Sequence, residues 1–227
     1  MELSIDTASE MASVALSDEG VVMAEATWRC RRNHTVELLP AIDRLLTHSA
    51  AERSELSAVF VCSGPGQYSG LRVGISVAQG VASGLGLPAL GVGRLELDAY
   101  GHAAFPGPIV AVHRAGRGDL AWASYSECPW RELSSPRLSS PGELAAAVLG
   151  PTLFVGEVDD ELAALLVSAT EGRAVVAAGT ASIRRAGWLA ELGWSRLQAG
   201  AQAEAALLRP IYLRPPAIDP PTKPDGL

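Results

Sequence analysis

Hydrophobic and polar positions along the first hundred residues follow two periods, and each change of period marks a change of element. Short apolar runs of β-favouring residues predict strands at 3–6, 12–16, 21–28, 59–62 and 87–92. Apolar positions three and four residues apart predict helices that begin near residues 33, 71 and 95. The order is therefore β-β-β-α-β-α-β-α, with an antiparallel opening followed by helix-connected strands that should run parallel.

This order predicts an α/β, ribonuclease-H-like layered sheet over a first lobe, residues 1–105. Proline and glycine at 105–108 predict a linker to a smaller second lobe over 106–208. A last segment, 209–227, is expected to be extended and then a flexible Pro-rich tail. Within the second lobe the pattern predicts strands at 109–112, 120–125, 152–155 and 174–177, helices at 144–149, 160–167 and 183–192, and a Ser/Pro-rich loop at 134–142.

The stretch 59–84 predicts a buried strand, a glycine-rich turn and a helix. Glycines permit positive φ and close backbone approach, and a helix N-terminus favours anions. The turn is therefore either a tight connection without a ligand or a nucleotide or anion site, and the candidate contacts are Gly64, Gly66, Ser69 and Gly70. Asp6, at the end of the first strand, either contacts a metal-bound phosphate or caps its own turn.

Two helices carry faces suited to close packing. Small residues recur at every fourth position of the second helix, at Gly70, Gly74, Ala78 and Ala82, so another helix can approach this face closely. That other helix belongs either to the same chain or to a partner. The first helix is leucine-rich, and Asn33 or Thr35 is its candidate N-cap.

Composition and charge narrow the possible functions. The 227 residues are 48% hydrophobic with a net charge of −7, which argues against a protein that grips nucleic acid alone through a basic face. Cys30, Cys62 and Cys128 fit no paired-cysteine pattern, and His34 has Leu38 one helical turn later, so no metal site is predicted. With no leader-like start and no long apolar run, we expect a cytoplasmic protein without a membrane contact.

Three motifs together resemble one family. They are Ile5-Asp6-Thr7-Ala8, the segment from Asn33-His34 to Pro40, and Gly64-Pro65-Gly66-Gln67-Tyr68-Ser69-Gly70-Leu71-Arg72-Val73-Gly74. Together they look like bacterial TsaB, also called YeaZ, and Tyr212-Leu213-Arg214 resembles that family's C-terminal YLR. The resemblance is strong over about 1–100, thin over 107–205, and returns near 209–214.

The resemblance implies a two-lobed fold of the actin/Hsp70/sugar-kinase type. It further implies a scaffold or activator without its own catalysis or catalytic residues. Such a subunit pairs with a TsaD-type paralogue and a TsaE-type ATPase to transfer a threonylcarbamoyl group to adenosine 37 of tRNAs reading ANN codons. ATP or ADP and a metal ion would be held mainly by the partners. A homodimer would use the surface that meets TsaD, for which the candidate residues are His34, Leu38, Ile42, Arg72, Gly74, Val77, Ala78 and Val81.

Departures from the family pattern keep other hypotheses open. The hairpin from His113 to Gly118 replaces the family's Asp-Ala-Arg, and Ala8 stands where active phosphotransferases of this fold carry a glycine. The alternative is a self-sufficient kinase or phosphohydrolase that uses Asp6 and the Gly64–Gly70 turn. A metalloprotease-like glycopeptidase lacks the ligand pair it needs. The arginines at 29, 31 and 32 contact tRNA, a partner or only water.

Overall fold

The computed structural model describes residues 1–126, 129–148 and 150–213. Cys128, Leu149, Arg214 and the expected flexible tail lie outside the described residues. The first half contains β1 (Glu2–Asp6), β2 (Met11–Asp18), β3 (Val21–Arg29), α1 (His34–His48), β4 (Ala58–Gly64), α2 (Tyr68–Leu85), β5 (Ala89–Gly93) and α3 (Arg94–Tyr100). The second contains β6 (Ile109–Gly116), β7 (Asp119–Ser126), β8 (Arg131–Ser139), α4 (Pro141–Ala147), β9 (Thr152–Gly156), α5 (Asp160–Ala169), β10 (Ala174–Val176) and α6 (Ala186–Gln198).

The two halves build two five-stranded sheets with the same topology. The first sheet has the order β3-β2-β1-β4-β5, with β1 antiparallel to β2 and parallel to β4. The second has the order β8-β7-β6-β9-β10, with β6 antiparallel to β7 and parallel to β9. The predicted α/β class, the antiparallel opening and the parallel continuation are confirmed. The repeated mixed sheet is the two-lobed architecture of the actin/Hsp70/sugar-kinase type.

The predicted loop at 134–142 is wrong, because most of it belongs to β8. This strand forms an edge of the second sheet, and its polar side chains bond to β7 instead of entering a core. The hydroxyls of Ser124 and Ser134 lie 2.8 Å apart, and the Trp122 Nε1–H donates to Ser139 Oγ at 2.9 Å. The side chains of this edge strand are exposed to solvent or only half-buried, so the strand lacks the apolar alternation by which strands are predicted. Other predicted elements are present with shifted ends.

The helices cover both faces of each sheet, and the last one crosses between lobes. α1 and α2 pack on one face of the first sheet, while α4 and α5 pack on the outer face of the second. α3 packs on the second sheet's inner face and also contacts β4 and β5. α6 packs on the remaining face of the first sheet, where Leu189 and Leu192 join the core around Phe60.

The position of α6 corrects the predicted division at residues 106–208. A boundary drawn along the sequence assigns α6 to the second lobe, yet the helix contacts all five strands of the first sheet. Gly193 permits this contact, because a Cβ atom there would overlap the Phe60 ring. The first lobe therefore contains a segment from each end of the described chain.

Candidate functional site

The end of β1 points into the cleft between the lobes, where Asp6 meets an arginine from the far end of the chain. Asp6 is 1% exposed and Arg184, which lies just before α6, is 7% exposed. Arg184 Nε donates to Asp6 Oδ2, and its Nη2 lies 3.3 Å from Oδ1. The Ala8 backbone N–H also donates to Oδ1, at 2.9 Å. The Asp6 carboxylate is thus fully engaged inside the protein.

A chain of ion pairs continues from Arg184 across the cleft. Arg184 Nη1 donates to Asp98 Oδ1 at 2.9 Å, and Asp98 Oδ2 lies 3.4 Å from Arg94 Nε. Arg94 Nη2 donates to Glu157 Oε1 at 2.6 Å. Residues from β1, from α3, from the turn after β9 and from the segment before α6 are joined in this way. We call Asp6, Arg184, Asp98, Arg94 and Glu157 the cleft network.

The charges of the network reinforce one another. Burial raises the pKa of Asp6, but the Arg184 guanidinium, helped by the Ala8 N–H and the charge of Arg94, holds that pKa below its usual value. Burial raises the pKa of Glu157 as well, and the hydrogen bond with His113 and the charge of Arg94 lower it overall. Burial lowers the pKa of Arg184, while Asp6 and Asp98 raise it well above the usual value. The net pKa shift of each of these three groups favours its charged form.

Two cavities flank the network. One, of about 380 Å³, lies beside Ser9, Gln67 and Glu157, and the other, of about 350 Å³, lies beside His102, Thr180 and Trp188. Both are also lined by Asp98 and Arg184, which form the wall between them. The ion pairs therefore divide the interlobe cleft into two compartments.

The glycine-rich turn lies next to Asp6, and close packing explains its glycines. Gly64 has φ of +98°, which favours glycine. Cβ atoms at Gly66 and Gly70 would overlap the backbone oxygens of Ala8 and Thr7. The Gln67 N–H donates to the Ala8 oxygen at 2.9 Å and the Thr7 hydroxyl to the Gly70 oxygen at 2.7 Å. These bonds support the tight-connection reading, whereas an anion contact at this turn, including one from the exposed Ser69, stays a prediction.

The C-terminal motif docks on the same turn. The Ile211 N–H donates to the Ser63 oxygen at 2.7 Å, and the ring of Tyr212 stacks on that of Tyr68 with centroids 5.6 Å apart. The Arg72 guanidinium lies over the Tyr68 ring, 4.2 Å from its centroid. Two motifs far apart in the sequence thus form one structural unit.

Most of the predicted partner-interface residues are buried inside the chain itself. The row of small residues on α2 faces β1, where a Cβ at Gly74 would overlap the Thr7 hydroxyl, and Ala78 is fully buried. Of the two alternatives for this row, an approach within the chain or by a partner helix, the structure supports the first, because the chain's own sheet fills the close approach. His34, Leu38 and Ile42 are buried as well. Arg72 is exposed, and Val77 and Val81 are half-buried, so these three remain at the surface.

A different face of the same two helices is open. Leu39 of α1 and Leu85 of α2 are 56% and 44% exposed, and with Val81 they line an apolar groove of about 410 Å³. Gly80 and Gly84 lie in this groove, and a Cβ atom at either would have no neighbour within 4 Å. The exposed glycines of α2 are therefore these two, whereas Gly70 and Gly74 are buried.

Sequence reasoning found Asp6 but missed the other members of the cleft network. One local signal existed, since Arg94 and Asp98 are four residues apart on α3 and can pair along a helix. Arg184 carried no such signal, because it lies 178 positions from Asp6. The sequence did not decide what the arginines at 29, 31 and 32 contact; Arg29 forms an ion pair with Glu10 at 3.0 Å. Across the described ranges, no group of three or more His, Cys, Asp or Glu residues is placed to hold a metal ion.

The fold and the cleft define the class: a two-lobed α/β protein of the actin/Hsp70/sugar-kinase type. The family model described as "TsaD: tRNA N6-adenosine threonylcarbamoyltransferase" matches residues 12–145. A crystal structure of YeaZ from Pseudomonas aeruginosa covers 92% of this chain and 99% of its own, with 26% identity and a TM-score of 0.77. The chain belongs to the TsaB (YeaZ) family, within the wider group that this model describes.

The relatives that support this assignment match different lengths of the chain. The proteins named tRNA threonylcarbamoyladenosine biosynthesis protein TsaB from Escherichia coli and Bacillus subtilis are 39% and 34% identical. The chain spans about half the length of these two relatives, since each match covers 54% of either chain. An uncharacterized protein of Mycobacterium tuberculosis, Rv3421c, is 30% identical over 96% of this chain and 93% of its own. Among the described residues, no helix is long and apolar enough to span a membrane.

Proposed function

We propose that this protein is a non-catalytic subunit in the biosynthesis of threonylcarbamoyladenosine in tRNA. It would pair with a TsaD-type paralogue that performs the transfer, with a TsaE-type ATPase in the same complex. The names of the relatives from Escherichia coli and Bacillus subtilis support the pathway. ATP, a metal ion and the tRNA would then be bound mainly by the partners.

The pairing of Arg184 with Asp6 carries the non-catalytic part of this proposal. An active phosphotransferase of this fold would need the Asp6 carboxylate for a metal-bound phosphate. Here a buried guanidinium already neutralises that carboxylate. Displacing Arg184 to admit a metal would break its buried ion pairs with both Asp6 and Asp98.

The alternative of a self-sufficient kinase or phosphohydrolase has less support. It would need a second carboxylate beside Asp6. Asp159, a carboxylate at a turn of the second lobe, accepts the Leu162 N–H as the N-cap of α5 and pairs with Arg114. Its carboxylate already has a structural role on the second lobe. ATP turnover by the chain alone would favour this alternative.

The open groove between α1 and α2 is the surface that we propose for the TsaD-type partner, and for a second copy when the chain is alone. Its exposed leucines offer apolar area, and the open space over Gly80 and Gly84 lets a partner helix approach α2 closely. The location on α1 and α2 agrees with the resemblance. Of the residues expected there, Ile42 and Val81 line this groove, and Leu39, Gly80, Gly84 and Leu85 are additional.

The test is reconstitution with the TsaD-type and TsaE-type subunits, tRNA and ATP, with each protein omitted in turn. Gly80→Leu should fill the groove without a clash inside the chain, so we expect the folded variant to lose at least tenfold in affinity for the TsaD-type subunit and in modification rate. Gly142→Leu is the control, because Gly142 also lies in a helix with open space around it. Full activity without this chain would refute the proposal. Unchanged association of Gly80→Leu would refute only the proposed surface.

A further inference from the structure

A second groove lies on the opposite face of the first sheet from α1 and α2. It is formed where the turn between β2 and β3 meets α6, and its volume is about 550 Å³. Its floor is aromatic, with the half-buried rings of Trp188 and Trp194. Val21 and Val22, at the start of β3, form its wall. Neither the cleft network nor the proposed α1–α2 surface includes this groove.

The wall of the groove continues into an open strand edge. β3 is the terminal strand of the first sheet, and within the described ranges only β2 pairs with it. Val21 is 71% exposed and Met23 is 55% exposed. Soluble proteins usually protect such an edge with lysine, proline, a β-bulge or a covering element. β3 has neither lysine nor proline, but its pairing with β2 shifts register between Leu16 and Ser17, so Met23 has no partner on β2. An extended segment of another chain can instead add to the edge through backbone hydrogen bonds.

The groove carries negative charge that no cation of the described chain neutralises. Glu19 and Glu191 line it, and neither takes part in an ion pair among the described residues. Below the turn, the buried Glu2 accepts hydrogen bonds from the Ser17 hydroxyl at 2.6 Å and from the Glu19 and Gly20 N–H groups at 3.2 Å each. Both oxygens of Glu2 act as acceptors, and within the described part of the chain no arginine approaches them. The groove therefore favours a positively charged occupant.

The aromatic floor suits the same kind of occupant. Arg185 of the chain itself lies over Trp188, with its guanidinium carbon 5.6 Å from the ring centroid, and Glu25 fixes that guanidinium through Nε at 2.8 Å. This contact shows that a cation fits beside the Trp188 ring. A tryptophan face attracts ammonium and guanidinium groups, more strongly when water is excluded. Glu25 neutralises Arg185, whereas Glu19 and Glu191 have no cation partner among the described residues. Glu191 also accepts a hydrogen bond from the Tyr100 hydroxyl and keeps its charge.

We propose that this groove and the edge of β3 bind an extended segment of a partner protein in which lysine or arginine alternates with β-branched residues. The segment adds a strand beside β3, its apolar side chains cover Val21 and Met23, and a basic side chain enters the groove between the tryptophan rings and the two glutamates. The proposal does not depend on the proposed function, because it uses a different face of the protein.

The test uses the full chain and two synthetic peptides of nine residues with blocked ends. One alternates lysine and valine, and the other alternates glutamate and valine. We expect saturable binding of the lysine peptide by calorimetry, with a change in tryptophan fluorescence, and no binding of the glutamate peptide. Raising the salt concentration should weaken the binding, because exposed charges are screened.

Substitutions test separately how much the two glutamates and the edge of β3 contribute to binding. Glu19→Gln with Glu191→Gln should weaken binding of the lysine peptide about two- to thirtyfold, because two exposed ion pairs are lost. Glu132→Gln with Glu161→Gln is the control, because it changes the net charge equally on the second lobe. Met23→Lys should abolish binding through the edge. Val175→Lys, at the exposed edge strand β10 of the second sheet, should leave it intact.

Equal binding of the two peptides, no binding of either, or an unchanged affinity in the glutamine pair would overturn the proposal. Sedimentation of the free protein gives one further outcome. A dimer that Met23→Lys dissociates would mean that a second copy covers β3, and the basic segment would then be the wrong occupant.

Discussion

Replacing Arg184 with methionine tests the central feature of the cleft. The substitution keeps an unbranched side chain of similar length and removes the positive charge between Asp6 and Asp98. The side chains of Arg184 and Asp6 are 5% and 2% exposed, so water cannot take the place of the guanidinium. Removing one partner of a buried ion pair typically costs about 3–5 kcal/mol. For a chain of this size, such a loss lowers Tm by roughly 6–20 °C.

The sign of the pH dependence makes the test specific. In the native protein Arg184 keeps the pKa of Asp6 below its usual value, so this stabilisation is present at neutral pH and is lost as acid protonates Asp6. Without Arg184, burial dominates and raises the pKa of Asp6 in the folded state. Asp6 then contributes stability only while it is protonated, and this contribution is lost as the pH rises. Arg184→Met should therefore lose more stability at about pH 8 than at about pH 5.

The assay is urea unfolding at both pH values, followed by circular dichroism. Arg114→Met is the matched control, since the Arg114–Asp159 pair is about half exposed and should be worth less than about 1 kcal/mol. Adding Asp6→Asn to Arg184→Met should restore part of the loss at about pH 8, because the unpaired buried charge disappears. A loss below about 1 kcal/mol, or an equal loss at the two pH values, would refute the reasoning.

Three further substitutions follow from the packing and the charges. Gly74→Ala should lower the free energy of unfolding by about 1–3 kcal/mol, because the new methyl group would overlap the Thr7 hydroxyl. Gly80→Ala on the same helix should raise it by about 0.5–1 kcal/mol through helix propensity, and equal effects in urea unfolding would contradict this account. The lowered pKa of Glu157 means that its stabilisation is present above the usual glutamate pKa and is lost as the pH falls. In Glu157→Gln the free energy of unfolding should therefore fall less steeply as the pH is lowered. An equally steep fall in the variant and the native chain would argue against the role of Glu157.

The sequence by itself determined the element order of the first lobe and the family motifs. Alternating and helical periods arise from side chains within a few residues of one another, so they can be recognised locally. The turn at Gly64–Gly70 and the adjacent Asp6 were found in this way. The edge strand β8 was missed because it has little apolar surface to bury, and its pairing with β7 depends on hydroxyls and on Trp122.

Only the tertiary structure decided which faces of α2 are free and what Asp6 contacts. The row from Gly70 to Ala82 predicts a close approach correctly, but the sequence cannot tell that β1 is the element that approaches. Arg184 and α6 follow all the strands of the second sheet in the sequence, yet they pack against the first lobe. Contacts between residues 178 positions apart depend on the path of the backbone and leave no periodic signal. The cleft network is therefore a property of the assembled fold, whereas the strands and helices that hold it are encoded locally.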